Sequence, residues 1–272
     1  MRPRLPRRTF LKISAALGVA AYLQPARGLR LASTLPLPFP HQRFPNAEAL
    51  LTHRLDFDLL LVPAYLAAEL IQRGALQTVP GVPGRAHDPD GAYTIPYLTT
   101  LSTILYRHIP PADLWHSNTL WPASPRLVIG LSLLRRGYSP NDSHPGHLAQ
   151  IEKDLLDARL RIVPDPEAGL RSALGDFAVT LSPAHSFPPR SRLAERATRE
   201  GLGVGVAFPP KGAIAVEHDW IIPLSSLAPE AALSFISNLQ RPTPNFQRPL
   251  FTLTPLSAST RAYHAYIWKR AA

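Results

Sequence analysis

The run Phe57-Asp58-Leu59-Leu60-Leu61-Val62 constrains this chain more than any other segment. It is almost wholly apolar, sits between Asp56 and Pro63, and reads as a strand covered on both faces. Directly after it, Tyr65 to Gln72 has helical spacing and halts at Gly74, a residue suited to the left-handed turn that ends helices. A buried strand feeding a helix is the repeating unit of layered α/β folds.

The pattern continues downstream. Leu29 to Ala32 is a candidate first strand and Ala47 to Arg54 a short helix. The β-branched and aromatic stretch Tyr93 to Tyr106 predicts one or two strands. The spacing predicts helices over Arg126 to Arg136, closed by Gly137, and over Pro145 to Leu160. Strands are expected at Phe177 to Leu181, Val204 to Phe208 and Val216 to Ile222, then a helix from Pro229 to Leu239. Strands alternating with helices predict α/β layers with mainly parallel sheets. No internal repeat is visible.

With 272 residues and 45% hydrophobic content, the chain can bury one or two ordinary cores. It has no cysteine, which excludes a disulfide scaffold, a thiolate metal site and a cysteine nucleophile. The net charge of +10 suggests nucleic acid as a partner, but the distribution argues against it. Six basic residues precede position 28, and without them 23 basic face 19 acidic residues, a net of +4. No later stretch interleaves dense basic residues with aromatics.

Those early residues read as an address. Pro6-Arg7-Arg8-Thr9-Phe10-Leu11-Lys12 precedes the apolar run Ile13 to Leu23, resembling a twin-arginine export signal. The run is too short to span a bilayer as a helix. The reading assigns 1–28 to the signal and places the remainder outside the cytoplasm; an uncleaved anchor is the alternative.

Several segments occur in an order that resembles one family. They are Phe57 to Pro63 followed by Gly74-Ala75-Leu76-Gln77, then Tyr93-Thr94-Ile95-Pro96-Tyr97, then Asp113-Leu114-Trp115. Arg136-Gly137-Tyr138-Ser139, the approach to the Ile222-Pro223 turn, and the helix from Pro229 complete the series. Together they resemble the spermidine/putrescine-type periplasmic solute-binding proteins of ABC transporters. The likeness covers most of residues 55 to 240, with both ends shortened. It implies a two-lobe α/β fold of type II, with a hinge and a cleft between lobes. The lobes expected are 29–105 plus about 220–272, and 106–219. It implies no cofactor, no catalysis, a monomer, a small-molecule solute and a permease partner in the inner membrane.

The resemblance also carries site positions. Family carboxylate and tryptophan positions fall here on Val216, His218, Ser124, Leu127 and Leu181, so a polyamine site has lost acids and aromatics. Tyr65 retains an aromatic. A one-residue shift brings Asp219 and Trp220 into consideration; strand alternation puts Glu217 with Asp219, opposite His218. Candidate ligand contacts are therefore Tyr65, Tyr97, Thr99, Ser124, Ser182, His185, Glu217, His218, Asp219, Trp220 and Arg241.

Other constellations are weaker. His144 and His147 flank a Pro-Gly turn, a poor metal site. Gly201, Gly203 and Gly205 precede Pro209 rather than a helix, which disfavours a phosphate cradle. Asp56 and Asp58 read as solvated at a strand edge, and Trp115 and Trp121 as packing residues. Ser182 with His185 is the sole hint of a secreted hydrolase, without the nucleophile-elbow motif. The leading expectation is a solute receptor; a non-transporting envelope module on the same scaffold is the other alternative.

Overall fold

The computed structural model describes residues 28–107, 114–115, 118–183, 204–239 and 250–271. Ten described strands form one sheet: β1 (Leu31–Ser33), β2 (Gln42–Arg43), β3 (Leu59–Pro63), β4 (Ile95–Tyr106), β5 (Thr119–Pro122), β6 (Arg161–Val163), β7 (Phe177–Pro183), β8 (Gly205–Ala207), β9 (Ala213–Ile221) and β10 (Leu250–Thr252). Seven described helices cover it: α1 (Ala47–Thr52), α2 (Ala64–Gln72), α3 (Pro125–Arg135), α4 (Pro145–Ala158), α5 (Pro166–Arg171), α6 (Pro229–Ser237) and α7 (Ala258–Ala271).

The strand order is β2-β1-β3-β9-β4-β7-β5-β6, with β10 added to β9 and β8 to β4. β4 and β9 are the long strands, and both run through the two halves of the molecule. In the first half, β9 residues 218–221 pair with β3, and β4 pairs with β9 from Ile95 onward. In the second, β4 residues 100–106 pair with β7 while β9 residues 213–215 pair with β10. The stretch predicted as one or two strands is thus a single 12-residue strand. Its threonines and isoleucines favour the extended backbone throughout, and a bulge between Pro96 and Leu98 absorbs the proline.

The sheet is mixed rather than mainly parallel. Each antiparallel pairing involves β4 or β9, so the two crossing strands account for the departure from pure βα alternation. Helix ends follow the glycines. Gly137 has φ +83°, and Gly137 and Tyr138 donate their amides to Leu134 and Leu133, closing α3.

Each half has its own core. On one side of the first half, Leu59, Leu61, Trp220 and Ile222 pack with Phe235 and Ile236 of α6; on the other, Leu60, Val62 and Ile221 meet Leu66 and Leu70 of α2. The second half gathers Trp121, Ile129, Leu133, Ile151, Leu155 and Val179 with Leu253 and Ile267. The C-terminal helix α7 therefore packs against α3 and α4. α3 is buried on almost every side, which explains its weakly amphipathic sequence. Asp58, expected at a solvated edge, is buried instead: its carboxylate takes the Arg30 guanidinium at 2.9 Å and the Leu227 amide at 2.9 Å. That ties the entrance of β3 to the turn before α6. No described helix is long and apolar enough to cross a membrane.

Candidate ligand cleft

Between the halves lies a cleft of about 430 Å³. The carboxyl ends of β1, β3, β5 and β6 all open onto it, where loop and helix-start groups project past the sheet edge. The first half contributes Thr34, Arg43, Asn46 and Tyr65; the second contributes Ser124, Leu127, Asp165 and Leu181. Val216 and His218 of β9 belong to the crossing strands.

His218 is the most constrained polar group there. It is 1% exposed, and its Nε2 lies 3.0 Å from the Thr100 hydroxyl on β4. Its Nδ1 has no hydrogen-bond partner among the described residues. Burial pulls its pKa down to about 4, only partly offset by neighbouring Asp219, so the ring is neutral at pH 7. A neutral imidazole offers one donor and one acceptor, and Thr100 uses one of them.

Four helices begin at the cleft: α1 after Asn46, α2 after Pro63, α3 after Ser124 and α5 after Asp165. Asn46 and Asp165 cap their helices through the amides of Ala49 and Ala168. Ser124 makes no such bond, which leaves its hydroxyl for the cleft. Converging helix starts give the cleft a partial positive character. The described acidic side chains lining it, Asp165 and Glu167, are both paired. Arg43 meets Asp165 at 3.2 Å across the two halves, and Arg171 meets Glu167 at 2.6 Å within α5.

Of the positions carried by sequence resemblance, Tyr65, Ser124, Leu127, Leu181, Val216 and His218 all line this one cleft. Other expected contacts lie elsewhere. Glu217 and Asp219 face the opposite side of β9, where Arg85 holds them at 2.6 and 2.5 Å; His87 also lies 2.6 Å from Asp219. A one-residue step along a strand reverses the face, so they belong to a clamp on the 80–91 loop rather than to the cleft. Thr99 pairs with Glu217 and shares its face. Trp220 packs in the first core, its ring 6.3 Å from Phe39 and 5.4 Å from Tyr97. Ser182 is buried and hydrogen-bonds the Thr103 hydroxyl at 2.8 Å. His185 and Arg241 lie outside the described residues, as do Gly201 and Gly203.

Arg43, Asp165, Glu167 and Arg171 were not anticipated. The signal for the last three is present: Asp165-Pro166 is an N-cap followed by proline at the first helical position. His147 bonds Asp142 at 2.9 Å, and no cluster of three metal-ligating side chains exists among the described residues. Trp115 and Trp121 pack in the second core at 4.5 Å between ring centres.

Two α/β halves joined by crossing strands, with a cleft at the strand ends, constitute the two-lobe periplasmic binding protein fold. No family model and no curated protein sequence matches the chain. Solved structures do. A protein assigned to spermidine/putrescine ABC transport from Listeria monocytogenes superposes with a TM-score of 0.70 at 17% identity, covering 92% of this chain and 98% of that one. The Tp0655 (TpPotD) lipoprotein of Treponema pallidum gives 0.66 at 14% identity, over 89% and 98% of the two chains. A periplasmic thiamin-binding protein gives 0.58 at 14% identity, over 89% and 95%. At these identities the likeness concerns the fold.

Proposed function

We propose that this chain is the solute receptor of an ABC uptake system, exported by its N-terminal signal, which traps a small molecule between its lobes and hands it to a permease. The observation that carries the reading is the cleft itself, built by both halves around the crossing strands. Trapping then needs only a hinge equilibrium biased by contacts that form when both walls touch the ligand. Nothing in this role requires a reaction. Buried Ser182, bonded to Thr103 and away from the cleft, gives no support to hydrolysis. The packing of α7 favours lobes divided as 29–98 with about 218–239, and 99–217 with 250–271.

The ligand we infer is not a polyamine. A polycation requires unpaired carboxylates, whereas both acidic residues lining the cleft among the described residues have arginine partners, and helix starts point inward. A neutral, zwitterionic or anionic solute with acceptor groups fits better, its polar end reaching His218 Nδ1 and the Ser124 hydroxyl. Thermal-shift screening of such solutes beside spermidine tests this, with scattering to follow closure. The expected result is stabilisation and compaction by a non-polyamine, weakened at least about tenfold by His218→Ala. Tightest binding of spermidine contradicts the ligand class; silence across the library contradicts the receptor and favours an interaction module.

A further inference from the structure

A second cavity, of about 310 Å³, lies between the lobes and is separate in its chemistry from the cleft. One wall comes from α1 and α2, the other from the start of α3, Pro255-Leu256 and α7. Tyr65 and Ala47 line both cavities. Most of its surface is apolar, through residues such as Leu51, Leu66, Pro125 and Leu256.

Two buried cationic or hydrogen-bonding side chains in it lack what burial normally demands. Arg126 is 5% exposed, and its terminal nitrogens donate only to neutral oxygens: Pro140 and Thr254 carbonyls and Asn141 Oδ1. No carboxylate pairs with it among the described residues, and its Nε has no acceptor. His264 is 4% exposed, and neither ring nitrogen has a partner among the described residues. Buried charges are ordinarily paired and buried polar atoms ordinarily bonded. Burial and the Arg126 charge together lower the His264 pKa to about 3, so the ring is neutral and retains one N–H to donate. Two carboxylates also line it: Glu69 already serves Arg73 and Arg261, and desolvation raises the pKa of Glu48, which favours its neutral form.

The geometry points to a second binding site in this cavity for a small monocarboxylate with an apolar body. Its carboxylate would accept from Arg126 Nε and the His264 N–H, while the body fills the apolar wall space. The missing counter-charge, the free donors and the void are then explained by one occupant. Because the cavity is made by both lobes, the occupant would also favour the arrangement in which they meet, and so raise affinity in the cleft. The site does not depend on the solute-receptor reading.

Calorimetric titration of the purified chain with benzoate, and with uncharged benzamide as its isostere, tests this. Benzoate is expected to bind one-to-one and at least about tenfold more tightly than benzamide. His264→Phe should weaken benzoate at least about tenfold, and so should Ala262→Phe, which plugs the exposed mouth without entering a core. His218→Ala should leave it unchanged, separating this site from the cleft. Equal binding of benzamide, no binding of benzoate, full affinity in either His264→Phe or Ala262→Phe, or loss in His218→Ala instead would each overturn the proposal.

Discussion

Burial keeps His218 and His264 neutral, and that makes both acid-sensitive points in an apolar surrounding. The sign follows from comparing the two states. In the unfolded chain each ring titrates near its ordinary 6.5; in the fold the values fall to about 4 and about 3. Their stabilisation is complete above pH 6.5 and is lost as pH falls towards those folded values, at about 1.4 kcal/mol per pH unit for each ring. Asp58 behaves in the complementary range. Its bonds with Arg30 hold its pKa at about 2, so its contribution persists to about pH 4 and disappears below. Urea melts at pH 7, 5.5 and 4.5 are expected to show the wild-type chain losing stability steadily, with His264→Phe losing markedly less over the same interval. Equal slopes in the two proteins would mean that His264 is already charged in the fold.

At the scale of the element, β9 carries two chemistries on alternate residues. Val216 and His218 face the cleft, while Glu217 and Asp219 hold the 80–91 loop through Arg85 and His87. Asp219 is fully buried, so removing Arg85 takes away its guanidinium partner and leaves only His87 beside it. Arg85→Ala is therefore expected to cost about 2–4 kcal/mol in denaturant melts while leaving cleft affinity unchanged, because the damage falls on the far face. A variant that binds solute far more weakly at unchanged stability would put Arg85 in the ligand path. The alternation itself was legible from the sequence, since a strand has period two. So were β3, α2, α3 and α6, where long apolar runs end in glycine or begin with proline. What escaped were short elements: β5, β6, α5 and β10 span three to six residues, too few to show a period. α7 escaped for another reason: its buried face is Thr260, His264 and Ile267, so packing rather than amphipathic patterning holds it. With α5 went Asp165, Glu167 and Arg171, three of the four described charged residues that line the cleft. The occupants of the family positions were readable by register, but their convergence on one cleft depends on β4 and β9 crossing between lobes, which no local pattern encodes.

For the whole molecule, the question is what holds the lobes together before any ligand arrives. Apart from the Arg85–Glu217 contact at the crossing point of β9, two ion pairs bridge them among the described residues, from either side of Tyr65: Arg43 with Asp165 at the cleft, and Arg261 with Glu69 at the second cavity. The first is largely solvated, both side chains being more than two-fifths exposed, so it contributes at most about 1 kcal/mol. The second is more sheltered on the Glu69 side, which reduces its screening by water. Neither is large beside the energy of a core, yet a hinge equilibrium responds to differences of this size, since about 1.4 kcal/mol is a tenfold change in population. Arg43→Ala with Arg261→Met is a clean pair to remove, because Asp165 keeps its role in capping α5 and Glu69 keeps Arg73. The double variant is expected to have a larger radius of gyration in solution scattering, with an unchanged melting midpoint for the cores. The wild-type chain should approach it at about 1 M salt, where ionic attraction is screened within about 3 Å. Identical scattering curves for the two proteins at low salt would show that the lobes meet through apolar contact alone, and that the ligand, rather than the protein's own charges, sets the closed population.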